Sequence, residues 1–244
     1  MEFLGRVFDW FTTGAHWHGS GGVPQRLFEH VQISGGAIIT AAVIALPIGL
    51  TLGHLRRGGF IAVNVANVGR ALPSLALLVV AQDIFGIGAR PAYVALVALA
   101  LPPMVTNTYI GVRDVDADVR EAARAMGMTG SQMLWRVELP LAMPLVVAGV
   151  RTAAVNVVAT ATLAAIIAGG GLGRFIVDGL AQQDTPQAFA GALLVAVLAV
   201  VTEASLGLLQ RRLTVRSATV AAGQGRRGGA AQSGKEVLLH ALKA

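Results

Sequence analysis

Residues Val31 to Gly53 contain no Asp, Glu, Lys or Arg, and an apolar run of about 20 residues is what an α-helix needs to cross a bilayer. Such a run leaves little choice of fold, because in lipid every backbone N–H and C=O must be satisfied within the segment. The pattern recurs along the chain. A second run extends from about Phe60 to Gln82, divided by Arg70 and Pro73. A third covers Pro91 to Val112, a fourth about Leu141 to Ala168, and a fifth about Pro186 to Leu209. The pattern predicts an all-α polytopic membrane protein with five transmembrane helices, the second kinked or broken at Arg70 and Pro73.

Charge tells which way the helices run. Only 13% of residues are charged, against about 25% in a soluble domain, and the net +6 would raise the question of nucleic acid if it were spread over a soluble surface. It is not spread. Arg56 and Arg57 follow the first span; Arg113, Arg120, Arg124 and Arg136 follow the third; Arg211, Arg212, Arg216, Arg226, Arg227, Lys235 and Lys243 follow the fifth. The alternate connections hold only Arg6, Arg26, Arg90 and Arg174. By the positive-inside rule the N-terminus lies outside, the C-terminus in the cytoplasm, and the protein in the cell membrane. Residues 1–30 then form an extracytoplasmic segment, 31–212 the transmembrane domain, and 213–244 a cytoplasmic tail whose Gly, Ala and Arg content reads as disordered. Phe3, Leu4, Val7, Phe8 and Phe11 recur at helical spacing, which suits either a helix lying at the interface or a loosely ordered leader.

With no cysteine in the chain, thiolate catalysis and Cys-based metal sites are excluded. His16 and His18 lack nearby carboxylates and read as surface residues. No phosphate-binding loop is present: Lys235 and Lys243 lack the required glycine spacing, and the Gly223, Gly225, Gly228 pattern follows no strand.

The one long polar connection inside the bundle, about 113–140, reads as helix, corner, helix. Asp118 with Glu121 has the spacing of a capping box, Val119 to Met126 suits a helix, and Gly127 supplies a left-handed stop. Thr129 with Gln132 opens a second helix through Met133, Leu134 and Trp135. Glu121-Ala122-Ala123, Gly127, Val137 and Leu139-Pro140 at their spacing resemble the EAA loop of permeases of binding-protein-dependent ABC importers, with Val137 where Ile is usual. The stretches Leu72–Leu77, Gly86–Gly88, Asn107–Gly111, Ala125–Thr129, Ala148–Ala153, Thr160–Ala165 and Gly170–Gly173 further resemble the osmoprotectant branch of those permeases, which handles glycine betaine, choline, carnitine or proline betaine; Ala159 departs from the branch's usual Gly.

The resemblance implies the type I importer bundle and a non-catalytic subunit. It would pair with a second permease, identical or paralogous, two ATPase subunits that hold the ATP and Mg, and an extracytoplasmic substrate-binding protein. No cofactor is expected in this chain. Glu121, Ala122, Ala123, Gly127, Leu139 and Pro140 would engage the ATPase. Ionisable residues inside spans are costly and default to functional candidates, which selects Arg70, Arg151 and Glu203 as path-lining groups or, equally, as interhelical ties such as Arg151 with Glu203. Asn107, Thr108, Tyr109, Asn156, Thr160 and Thr162 add neutral polar groups that line a passage or join helices. Aromatic residues suited to a quaternary ammonium are few within the spans, so selection is expected in the binding protein, docked near Asp83–Arg90 and Phe175–Gln187. An importer of methionine or another small solute, and a secondary transporter or channel, are the competing readings; the latter finds only Glu203 as a membrane acid.

Overall fold

A computed structural model describes residues 2–57, 59–60, 64, 69, 73–167 and 169–212. These include a 3₁₀ helix at Gly14–Trp17 and α1 (Glu2–Thr12), α2 (Val23–Leu55), α3 (Ser74–Phe85), α4 (Ala89–Arg113), α5 (Ala117–Ala125), α6 (Gly130–Ile167), α7 (Gly173–Ala181) and α8 (Thr185–Arg212). Among the described residues four of the α-helices, α2, α4, α6 and α8, are long and apolar enough to cross a membrane.

The five-span expectation therefore meets four long helices and one short one. Of the second span, only the part after Pro73 is described as a continuous helix, α3, and its 12 residues rise about 18 Å, too little for a hydrocarbon core of about 30 Å. Pro73 is extended, with ψ 127°, and α3 starts immediately after it. Arg70 and most of the span before Pro73 lie outside the described residues, as does the tail from 213 onward. The first span, α2, begins at Val23 rather than Val31, helped by Pro24 in its first turn, where a missing N–H costs nothing.

α4 is the centre of the bundle, packed between α2 and α6. Why these helices meet closely is written in their small residues. Ala37, Ala41, Ala45, Gly49 and Gly53 recur every fourth position on α2 and all are buried. A Cβ at Gly49 would lie 2.6 Å from Thr108 Cβ, and one at Gly53 would lie 2.7 Å from Val112 Cβ. α6 approaches from the other side with Gly149, whose Cβ would lie 2.9 Å from the Pro103 carbonyl oxygen. Lipid tails are as apolar as leucine, so such helices associate through close van der Waals contact over small residues rather than through hydrophobic exclusion.

At one end of the bundle lie the start of α2, the α3–α4 turn, the end of α6 and the short helix α7. The other end holds the close of α2, α5 and the start of α6. α1 packs on the first end: Trp10 is buried with Val23, Leu172, Phe175 and Ala190, while Leu4 and Phe8 stay exposed. His16 is spent on this packing, its ring stacked on Trp10 and its Nδ1 2.9 Å from the Trp10 carbonyl. Among the described residues no group of three metal-ligating side chains occurs.

Candidate functional site

The polar connection folds as two helices about a glycine corner. α5 starts at Asp116, whose side chain accepts a hydrogen bond from the Asp118 amide at 2.7 Å. The cap is thus Asp116 and not Asp118; the two acids stand two residues apart, and the earlier one takes the extended backbone a cap requires. Gly127 has φ +78°. Its amide donates to the Arg124 carbonyl at 2.8 Å and the Met128 amide to the Ala123 carbonyl at 3.2 Å, the paired bonds of a Schellman stop. α6 then opens with the expected capping box: Gln132 N–H to Thr129 Oγ1 at 3.4 Å, and Thr129 N–H to Gln132 Oε1 at 2.9 Å.

This elbow offers its surface outward. Glu121 and Ala122 are exposed, and Glu121 has no hydrogen bond or ion pair among the described residues; Met126 and Trp135 are 71% and 59% exposed beside them. Ala123 is buried and joins α5 to the bundle. Leu139 is half-buried and Pro140 exposed.

What anchors the elbow was invisible in the motif. α6 widens into a π-turn at Leu134–Glu138, a local distortion frequent at functional sites. Glu138 is fully buried, on the same stripe as Ala142, Val146, Gly149 and Ala153. Its Oε2 lies 2.6 Å from His54 Nδ1 at the end of α2, and its Oε1 pairs with Arg120 Nη2 of α5 at 3.0 Å. Arg120, 4% exposed, also donates from Nη2 to the His54 carbonyl at 3.4 Å, where the negative end of the helix favours a cation. Burial lowers the Arg120 pKa, with Glu138 opposing and Arg56 and Arg124 reinforcing the shift. One acid therefore gathers α2, α5 and α6. The spacing of Glu138 four residues before Ala142, on an otherwise apolar stripe, is the signal that could have flagged it.

The intramembrane candidates divide. Arg151 of α6 pairs with Glu203 of α8 through both Nε, at 2.7 Å, and Nη2, and donates from Nη1 to Gln210 Oε1 at 2.9 Å. These residues thus meet as an ion pair between α6 and α8. Asn107 turns its amide onto the Pro103 carbonyl at 2.8 Å, Thr108 is fully buried against Gly49, and Tyr109 is buried with Arg113 5.8 Å from its ring centroid. Thr162 bonds the Ala159 carbonyl at 2.7 Å. Thr160 is half-buried and Asn156 exposed. The pair predicts an ordering of variants. Arg151→Leu or Glu203→Leu alone leaves an unpaired charge between helices and should lower the yield of folded protein more than the double substitution, a comparison size-exclusion profiles in detergent decide.

At the opposite end a cleft of about 750 Å³ is lined by Arg26, Glu29, Ile33, Phe85, Arg90 and Tyr93. Glu29 is already engaged, by Arg26 Nη1 at 2.9 Å and by the Gly171 amide at 2.9 Å.

A family model described as the binding-protein-dependent transport system inner membrane component matches residues 45–215. The choline transport system permease protein OpuBB of Bacillus subtilis is 37% identical over 189 residues, covering 78% of this chain and 87% of that one. The glycine betaine/carnitine/choline transport system permease protein OpuCB of the same organism is 36% identical over 186 residues, 76% and 86% of the two chains. Among solved structures, the inward-facing MetNI methionine ABC transporter superposes with TM-score 0.66 at 23% identity, over 76% of this chain and 93% of that one, a likeness of fold.

Proposed function

The chain belongs to the binding-protein-dependent transport system inner membrane component family, and on that premise we propose that it imports osmoprotectants of the glycine betaine, carnitine and choline class. It is a multi-pass membrane permease subunit with no hydrolytic chemistry of its own. The observation that carries the reading of its mechanism is the elbow. Two capped helices about Gly127 present Glu121, Ala122, Met126 and Trp135 to a partner, and that surface is the docking place for an ATPase subunit. The substrate class rests on relatives whose names specify choline, carnitine and glycine betaine and whose identity extends over three quarters of this chain.

The elbow faces the cytoplasm and the N-terminus lies outside, following the basic residues clustered at the elbow end. A second permease covers the exposed face of α6. Asn156 and Thr152 stand exposed on that face, and a polar amide left facing lipid is costly, so a partner helix is the better neighbour. An extracytoplasmic binding protein delivers substrate at the opposite end, near the cleft between Phe85, Arg90 and Tyr93, and two ATPase subunits carry the ATP and Mg.

The test is to reconstitute the chain with its genomic neighbours in proteoliposomes and measure ATP hydrolysis with binding protein present. Glycine betaine, carnitine or choline should stimulate hydrolysis. Glu121→Arg should cut that stimulation about tenfold, equivalent to some 1.4 kcal/mol at the docking surface. Stimulation by methionine and by none of the quaternary amines would overturn the substrate class.

A further inference from the structure

α2 is bonded at both ends to segments far apart in the chain. At the elbow end, His54 holds Glu138 at 2.6 Å and receives Arg120 on its carbonyl at 3.4 Å; Arg56 Nη2 adds a bond to the Val115 carbonyl at 3.3 Å. The His54 ring also sits against Gly130, where a Cβ would lie 3.3 Å from Nε2. At the far end, Glu29 Oε2 accepts the Gly171 amide at 2.9 Å, and buried His30 holds the Val158 carbonyl at 2.9 Å through Nε2. The turn at Gly169–Gly171 closes so tightly on these two side chains that a Cβ at Gly170 would collide with Glu29 and one at Gly171 would lie 3.1 Å from His30 Nδ1. This turn follows the point where α6 tightens into a 3₁₀ segment, Ala161–Ile167. His30 and His54 stand 24 residues apart, about 36 Å of helix at 1.5 Å each, and between them the stripe from Ala37 to Gly53 seats α2 on α4.

We infer that α2 is a strut linking the elbow to the far-end turn, with Glu138, His54 and Arg120 as positioning residues of one clasp and Glu29 and His30 of the other. A displacement of the elbow pulls on the end of α2 through buried Glu138 and Arg120 and half-buried His54. A closely packed helix passes the displacement on rather than absorbing it. Its other end is bonded to the backbone of the Gly169–Gly171 turn, so the turn must follow or break its bonds. Bonds that could not be read from the EAA-like motif thereby extend the elbow's reach across the bundle. The functional consequence, though not the mechanical link, rests on the importer reading above.

Two measurements on the full complex test the strut. Amide hydrogen exchange in nanodiscs, without nucleotide, compares the unmodified chain with Glu138→Gln and Glu29→Gln. Coupling is reciprocal, so Glu138→Gln should speed exchange at 169–173 about fivefold or more, and Glu29→Gln should do the same to α5, with α8 unchanged as a control. If each substitution loosens only its own end, the strut is overturned. In proteoliposomes, each single variant should lower substrate-stimulated hydrolysis about tenfold, and the double variant should be no worse than the weaker single. Sites this far apart ordinarily add, so a double loss equal to the product of the singles, near a hundredfold, also overturns it. Glu138→Asp and Glu29→Asp, which keep the charge, should restore part of the stimulation; loss of basal and stimulated rates together, without such rescue, would mark a merely structural role. An unmodified complex without substrate-stimulated hydrolysis would refute the importer reading instead, and the exchange data would still decide the strut.

Discussion

Gly49→Leu combined with Gly53→Leu should prevent α2 from seating on α4, and the protein should be recovered aggregated or at a small fraction of its normal yield. The two glycines lie one turn apart and face the same helix. A Cβ at Gly49 meets Thr108 Cβ at 2.6 Å and the Val105 carbonyl oxygen at 2.9 Å, and a Cβ at Gly53 meets Val112 Cβ at 2.7 Å and the Tyr109 carbonyl oxygen at 2.9 Å. Distances under 3 Å to backbone atoms cannot be relieved by turning a side chain, so one helix must move away. Overpacking a well-filled core costs about 1–3 kcal/mol per site, and with carbonyl oxygens as the obstruction both sites belong at the upper end. Against a total folding stability of about 5–15 kcal/mol, a loss near 6 removes much of the margin. Thr108 and Val112 would also lose the contacts that hold α4 in register. Gly35→Leu is the control, since nothing lies within 4 Å of its Cβ. A melting temperature for the double variant in detergent within a degree or two of the control would show that the helices can separate without cost.

The small-residue stripe was present in the sequence at a regular interval of four, yet a search guided by charge and length finds where spans are and not which face each one turns inward. The elbow is the opposite case. Gly127, Thr129 and Gln132 act on their immediate neighbours, so their roles could be read from residue type and spacing, and the φ of +78° and the capping box bear this out. Asp116 and Asp118 show the limit even there: both are good caps, and only backbone geometry chooses. Glu138, His54 and Arg120 come from positions 54, 120 and 138 and meet only once the helices are packed, so no local rule joins them. For the same reason the polar residues of the spans could be named as candidates but not sorted. Arg151 meets Glu203 because α8 brings that acid alongside, a fact of tertiary packing.

Gly127→Val should abolish most of the coupling while leaving the chain in the membrane at its normal level. Nothing lies within 4 Å of a Cβ at Gly127, so no clash confuses the reading, and the whole effect comes from the backbone. A left-handed conformation costs an ordinary L-residue about 1–2 kcal/mol, and a β-branched one more. The helix could escape that cost by failing to stop at Met126, but it would then give up the bonds from Gly127 and Met128 to Arg124 and Ala123 that fix the angle between α5 and α6. Either way the productive corner is depopulated: one or two kcal/mol is a factor of roughly 5–30 in such an equilibrium, and substrate-stimulated hydrolysis should fall accordingly. The clasp at Glu138 lies on the far side of the corner and keeps the elbow attached, which is why folding should survive. Gly127→Asn separates the backbone account from any other, because asparagine visits the left-handed region readily. The asparagine variant should retain most of the stimulation that valine loses. Equal losses in the two would mean that the corner matters for its small size at the ATPase surface and not for its backbone angle.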